Sequence, residues 1–479
     1  MTRMLRELLL FGSLAFGVAA LGANPDWARY LFCMGLYVFC AVSVLAADPS
    51  TASAPHRWSN WPLAILGVIP LLQIVPLPAV FQRILSPAQA AMMASLAQTG
   101  ILDASPAHRA LSIYPAGTLE QFVLLLAVGL SFLAGRHLFR DPGSRQRLAW
   151  FMLAVGLIEA MIGLLQYLGK LTLPFLPSSP NPAAVASGTY VNRNHFAGLL
   201  EMCFPMAAGL AYGHYLQHIH PAVHRTRRRF RALLTHPDLA LFLLLLFLAV
   251  WICLGIVFSI SRTGITCLLA TILFLTLLLG IRHSRRRIQV VTLAFLLALT
   301  GYAGYVGMEE ILHRFEQLFQ EEALLREGRL LVWQDTVTLI RDFPWTGVGL
   351  GNYEHAFHRY NRVSRNVIYD HAHNDFLEYL SEWGIPGGLL LIGTVLVVFG
   401  RGLRTFFRTE DPRLQALLLG VTGGIFSLLL HSFTDFNLQI PANLALFALL
   451  LAAASAASDT DAQTRVDSSG EDGPLPDRS

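Results

Sequence analysis

The stretch Leu239–Ile260, LALFLLLLFLAVWICLGIVFSI, runs for twenty-two residues without a charge. As a helix it would be about 33 Å long, against a bilayer hydrocarbon core of about 30 Å. In lipid only a helix or a closed barrel satisfies every backbone polar group, and a single apolar block of this length reads as a helix. Comparable blocks recur on both sides of it. They read as spans at 7–23, 29–46, 61–81, 118–135, 148–168, 195–216, 239–260, 264–281, 288–307, 386–403, 414–432 and 441–457. The expected fold is all-α: a polytopic membrane protein with about twelve crossings. Composition agrees, since the 479 residues are 54% hydrophobic and only 14% charged. A soluble chain carries about a quarter charged residues.

The net charge of +4 hides a strong asymmetry. Arg136, Arg140, Arg145 and Arg147 share one short connection, and Arg225, Arg227, Arg228, Arg229 and Arg231 another. A third holds Arg282, Arg285, Arg286 and Arg287, and a fourth Arg401, Arg404, Arg408 and Arg413. Basic short loops stay cytoplasmic. Each run joins two apolar spans, which favours topology over the nucleic-acid reading that such runs also invite. Arg3 and Arg6 put the N-terminus on the same side, and an even number of crossings returns the C-terminus there. The basic start before an apolar run also fits a signal peptide, but the spans that follow favour a first anchor. Cys33, Cys40, Cys203, Cys253 and Cys267 all fall inside apolar blocks and read as small buried hydrophobes.

The opposite face, periplasmic in a bacterial inner membrane, receives a long excursion from about 308 to 385, between spans nine and ten. It is expected to be helical: Ile311, Phe315, Leu318 and Phe319 keep helical spacing, as do Leu330, Trp333, Val337 and Ile340. Pro344, Gly347, Gly349 and Gly351 end the pattern. GVGLG there reads as a tight turn and not as a nucleotide loop, because no strand precedes it. The polar tail, 458–479, is expected to be disordered, leaving 1–457 as one membrane domain.

Before the tenth span stands Tyr369-Asp370-His371-Ala372-His373-Asn374-Asp375, with two imidazoles and two carboxylates among its seven residues. A metal site, a proton-transfer site and a polar turn are all open readings. Asn374 suits an N-cap for a helix through Phe376, Leu377, Tyr379 and Leu380. Gly384 would end that helix, and Pro386 would open the next span. A metal needs three or four convergent ligands, which so short a loop seldom supplies alone. Imidazole titrates near neutral pH, which suits base work.

Arg262 interrupts FSISRTGI between two spans, where an arginine snorkels, pairs or binds an anion. Arg329 stands four residues before Trp333 and alone reads as a surface charge. Two arginines and a histidine on one face would suit a pyrophosphate-linked lipid, since guanidinium grips phosphate oxygens bidentately. Asn192, Asn194 and His195, in GTYVNRNHFAG, would bind sugar hydroxyls or cap a helix. Glu159 and Glu201 lie inside spans, where ionisable groups are functional candidates. His431, Asp435 and Asn437, in HSFTDFNLQIP, belong to the outer face. Ser259, Ser261 and Ser432 lack the G-x-S-x-G elbow of a serine hydrolase.

These residues resemble the O-antigen ligase and polymerase superfamily. The most specific match is His373-Asn374, nine residues, Gly384, two residues and Gly387, which follows the family's His-Asn/Ser-x9-Gly-x-x-Gly pattern. SRTG at 261–264, Arg329 to Trp333 with the following DFPWTGVGLGNY, and GTYVNRNHFAG are similar to its other stretches, in the family's order over about 185–390. The resemblance implies a membrane glycosyltransferase that takes a glycan from undecaprenyl pyrophosphate on the periplasmic side. It implies inverting transfer with neither a metal nor another cofactor. His373 would be the base, Arg262 and Arg329 would hold the pyrophosphate, and Asn374 would orient the site. His371 lies outside the core motif and could exchange roles with His373. The acceptor would be lipid A–core in a ligase, a lipid-linked repeat unit in a polymerase, or a protein hydroxyl in an oligosaccharyltransferase. A saccharide acceptor is preferred, with the ligase slightly ahead. A transporter is the rival from another class, disfavoured because the polar groups collect at one face.

Overall fold

The computed structural model describes residues 2–46, 60–99, 108–171, 173, 185–221, 229–283, 328–362 and 368–470. The helices are α1 (Thr2–Ala19), α2 (Asp26–Leu45), α3 (Trp61–Ile74), α4 (Ala79–Leu85), α5 (Pro87–Gln98), α6 (Pro115–Leu138), α7 (Pro142–Tyr167) and α8 (Arg193–His214). There follow α9 (Arg229–Leu234), α10 (Leu239–Phe258), α11 (Arg262–His283), α12 (helical over 328–342), α13 (Tyr353–Phe357), α14 (Asp375–Arg408), α15 (Pro412–His431) and α16 (Pro441–Gly470). Leu77–Pro78 pairs antiparallel with His108–Arg109, a minor element in an all-α chain.

Among the described residues nine helices are long and apolar enough to cross a membrane: α2, α6, α7, α8, α10, α11, α14, α15 and α16. They coincide with nine of the expected spans. The first expected span begins as α1, which carries Arg3, Arg6 and Glu7 and ends at Ala19. A short turn with Gly22 at φ 72° follows it. The third is shorter than expected: α3 has 14 residues and stops at Ile74. Pro76 and Pro78 then break the 61–81 block, because proline lacks the donor that a helix interior needs. The expected ninth span, 288–307, and the pattern from Ile311 to Phe319 lie outside the described residues.

The last helix also differs from expectation. It continues past 457 to Gly470, into the segment that its polar composition marked as disordered. Asp459 explains the first extra turn, since its carboxylate bridges Arg136 at 3.0 Å and Arg401 at 2.8 Å. Those arginines come from two separate basic connections, so the helix end ties them together. Residues 471–479 of the tail lie outside the described residues.

α8, α15 and α16 form the interior and are largely buried, whereas α10 is largely exposed. In lipid the hydrophobic effect does not favour one helix pairing over another, so small residues that permit close approach decide the contacts. α15 offers Gly420, Gly423 and Gly424 to α8; a Cβ on Gly420 would stand 2.9 Å from the Met206 Cα. α10 instead leaves Leu243, Leu244 and Phe247 exposed, as a lipid-facing helix does.

α14 is broken where the sequence suggested. Gly384, at φ 70° and ψ 167°, separates a first segment from the long span that Pro386 opens. The GVGLG turn packs into this break. Val348 N donates to the Ser381 carbonyl at 2.9 Å, and Ile385 N to that of Pro344 at 2.8 Å. Gly347 and Gly384 are both left-handed, and a Cβ on Gly384 would stand 2.5 Å from the Trp345 carbonyl oxygen. Both positions therefore require glycine on backbone and steric grounds.

Candidate active site

The connection from His431 to Pro441, between α15 and α16, gathers the candidate residues. It is stitched to the start of α14. Asp375 N donates to the Ser432 carbonyl at 3.0 Å, and Ser432 Oγ donates back to the Asp375 carboxylate at 2.7 Å. Asn374 does two things. Its Oδ1 accepts from Leu377 N at 3.0 Å, the expected N-cap, and its Nδ2 donates to the Phe433 carbonyl at 2.9 Å. The residue before it, His373, has φ 48°. A left-handed side-chain-bearing residue costs about 1–2 kcal/mol, and the bonds on either side of Asn374 hold it there.

Phe436 is the hub. His371 stacks on its ring at 4.1 Å, His373 meets it edge-on at 4.9 Å, and His195 of α8 meets it edge-on at 4.6 Å. The two loop histidines turn to different carboxylates. His371 Nδ1 bonds Glu378 at 2.7 Å, while the second Glu378 oxygen accepts from Ala372 N at 2.8 Å. His373 Nδ1 stands 3.5 Å from Asp435 Oδ1, within ion-pair range and long for a hydrogen bond.

Asp435 is fully buried. Its Oδ1 accepts from Phe436 N at 2.9 Å, and its Oδ2 accepts from the Asn194 amide. Burial alone would raise its carboxyl, but the His373, His195 and His431 imidazoles around it hold it well below the usual carboxylate range. His371 shows the opposite balance for a base. Burial would lower it, but Glu378, then Asp370 and Glu382, push it up to about 9. A carboxylate partner favours the charged imidazole.

Arg329 reaches the same connection through Thr434, and so does Thr263, the neighbour of Arg262. Arg329 Nη1 donates to the Thr434 carbonyl at 3.4 Å, and the Thr434 hydroxyl lies 3.2 Å from that of Thr263. Arg262, half-buried, precedes Thr263 as the first residue of α11. SRTG supplies that helix start piece by piece. Ser261 Oγ accepts from Gly264 N at 3.1 Å, and Gly264 packs on Ala197 of α8. Trp333, one turn after Arg329, donates its indole N–H to the Ala372 carbonyl at 3.0 Å and docks α12 on the histidine loop.

Residues 247–392 match the model of the O-antigen ligase family. The chain carries an O-antigen ligase family domain. This match supports the O-antigen ligase superfamily, of ligase or polymerase type, and suggests a glycosyltransferase-type membrane enzyme acting on lipid-linked glycans. The matched stretch holds Arg262, Arg329, His371, His373 and Asn374; Asn194, His195 and Asp435 lie outside it. No curated protein matches the chain.

Of the sequence candidates, Asn192 stands apart: its side chain accepts from Asn194 N at 2.8 Å and caps α8. Glu159 is bound by Thr189, whose backbone N and hydroxyl each donate at 2.9 Å. Glu201, Cys267 and His431 bring ligand atoms within 4.8 Å of one another and could hold a metal ion. Two of them already bond each other, His431 Nδ1 to Glu201 Oε1 at 2.9 Å. Sequence reasoning missed Phe436, Thr434, Thr263 and Glu378. Phe436 and Thr434 sit inside the HSFTDFNLQIP stretch, but nothing about a phenylalanine among apolar spans marks it as a hub.

Proposed function

We propose that this domain moves a glycan en bloc from undecaprenyl pyrophosphate to a saccharide acceptor, lipid A–core, on the periplasmic face of the bacterial inner membrane, with both termini cytoplasmic. The observation that carries the reading is the single connection, His431 to Pro441, that holds the His373–Asp435 pair and the Arg329 guanidinium together.

His373 takes the proton of the acceptor hydroxyl, and that oxygen attacks the anomeric carbon. The bond from that carbon to the pyrophosphate oxygen breaks with its electron pair going to the phosphate, and the configuration inverts. Asp435, anionic and tied by Asn194, orients the imidazole and stabilises the imidazolium that forms. Arg262 and Arg329 hold the departing pyrophosphate, the charge stabilisation that a fixed cation supplies in a water-poor site. These cations make the transfer metal-independent in this scheme.

The test is reconstitution in liposomes containing a chelator, with a lipid-linked glycan and either lipid A–core or a second lipid-linked repeat unit. Glycan on lipid A–core, lost in His373→Ala, is the expected result. Product only on the repeat unit would replace the ligase by a polymerase. Transfer unchanged in His373→Ala would remove the proposed base.

A further inference from the structure

α8 carries a second feature at its other end. From His195 to His214 it rises about 28 Å, close to the thickness of the hydrocarbon core. There a cavity of about 360 Å³ opens between the last turns of α8 and the first turns of α7, α10 and α15. That volume is in the range of pockets that hold small ligands, about 300–1,000 Å³. It serves none of the chemistry above.

Two kinds of lining meet in it. The deeper part is apolar, with Met206, Leu245 and Leu417, and the rim carries Arg145, Arg413, His214 and His218. Arg145 is decisive. It is only 7% exposed, and its Nη2 donates to the Arg140 carbonyl at 3.1 Å. Among the described residues no carboxylate lies within ion-pair distance of it. Asp411 and Asp141 act on its charge only from beyond contact distance, and a buried guanidinium that no carboxylate touches is costly unless something anionic arrives. Asp411, which also lines the cavity, is engaged as the α15 cap and accepts from Arg413 N at 2.9 Å. Arg413 is itself exposed, with Nε donating to Gln217 at 3.0 Å.

The cavity is also open to the membrane side. Trp150 and Leu241, on two of its walls, are 41% and 42% exposed. Tryptophan at such a level is an interfacial residue. Gln217 and His218 come from a π-helical turn, Tyr215–Ile219, a geometry often found at functional sites. The sequence joining α8 to α10 carries five arginines within 225–231.

We propose that this cavity binds the headgroup of an anionic phospholipid, with its phosphate between Arg145 and Arg413 and its acyl chains along Trp150 and Leu241. A basic, partly apolar pocket between helix ends on the arginine-rich side has the chemistry that such headgroups need. The site lies a membrane's thickness from the histidine loop and is independent of what that loop does.

The full-length protein in liposomes gives the test, with Trp150→Phe defining the fluorescence that belongs to the cavity. Phosphatidylglycerol brominated in its acyl chains is expected to quench the Trp150 signal at mole fractions where brominated phosphatidylethanolamine does not. Losing one charge-assisted hydrogen bond in Arg145→Gln should raise the amount required by about tenfold or more. Arg413→Gln, at an exposed position that folding tolerates, should shift it less but in the same direction. Equal quenching by the two lipids, or wild-type behaviour of Arg413→Gln, would overturn the proposal. Displacement of the lipid by millimolar inorganic phosphate would overturn it too, in favour of a free-anion site.

Discussion

His371 and His373 stand two residues apart and touch the same ring, but the carboxylates behind them are built differently. Glu378 belongs to the same loop-and-helix unit as His371, grips it at 2.7 Å and also binds the Ala372 backbone. That pair is local and tight, and it keeps His371 protonated up to about pH 9. Asp435 comes from a different connection, stands 3.5 Å from His373, and spends its other contacts on Asn194 and the Phe436 backbone. The difference suits two tasks in the proposed reaction. An imidazole held as a cation cannot accept a proton, whereas one beside an anion that does not grip it can accept one and be stabilised afterwards.

The sharpest way to break this comparison is to remove each ring. His373→Ala should lower glycan transfer by roughly 10²–10⁴-fold, the usual contribution of a positioned base. His371→Gln should lower it by about tenfold or less, with KM for the lipid-linked donor carrying most of the loss if the cation helps to hold phosphate. Single-turnover transfer at saturating donor separates the two. A reversal of the two magnitudes would make His371 the base and end the division of roles.

Asp435→Asn comes next. The amide keeps the shape and a hydrogen-bonding oxygen but removes the anion that, in the proposed reaction, stabilises the His373 imidazolium. Hydrogen bonds to charged groups contribute about 1.5–3 kcal/mol, so transfer should fall by about 10–100-fold. Asp435 is ionised far below neutrality, so the acid side of a rate profile between about pH 5 and 8 should not report it in the wild type. An unchanged rate in Asp435→Asn would leave Asp435 as a structural tie to Asn194.

How much of this was legible beforehand follows from range along the chain. Apolar blocks define helices locally, and Leu239–Ile260 yielded α10 almost to the residue. The motif from His373 to Gly387 was also local: Asn374 caps, and Gly384 breaks the helix because the Trp345 carbonyl leaves no room for a side chain. The Asp435 partner of His373 lies sixty-two residues away in sequence, and the bonds that stitch Asn374 and Asp375 to Ser432 and Phe433 bring it in. Phe436 gave no signal, being one apolar residue among many. The 61–81 block misled because hydropathy is blind to Pro76 and Pro78. The tail misled for a related reason, since composition does not show that Asp459 meets Arg136 and Arg401.

The local pair should reveal itself through pH and stability more than through rate. The folded His371 value, about 9, lies above its ordinary 6.5. Its stabilisation is therefore complete below about pH 6.5, declines as pH rises, and is lost above about 9. Thermal unfolding should show Tm falling across that window in the wild type. Glu378→Gln should start with a lower Tm and flatten the slope. The same slope in both proteins would show that the pair is not what titrates.

The smallest expected effect concerns the residue that joins the two sides. Asn374 caps α14 with its oxygen and holds the Phe433 carbonyl with its nitrogen, so it links the His371 side to the connection that carries Asp435. Loss of a cap costs about 1 kcal/mol, about fivefold in a local opening equilibrium. Hydrogen exchange at the Leu377 amide should accelerate by about that factor in Asn374→Ala. Asn374→Asp restores the capping oxygen but has no N–H for Phe433. If the link matters, Asn374→Asp recovers slow exchange at Leu377 without recovering the full transfer rate. If both properties recover together, capping alone is enough to hold His373 in its left-handed backbone conformation, and the Phe433 bond is incidental.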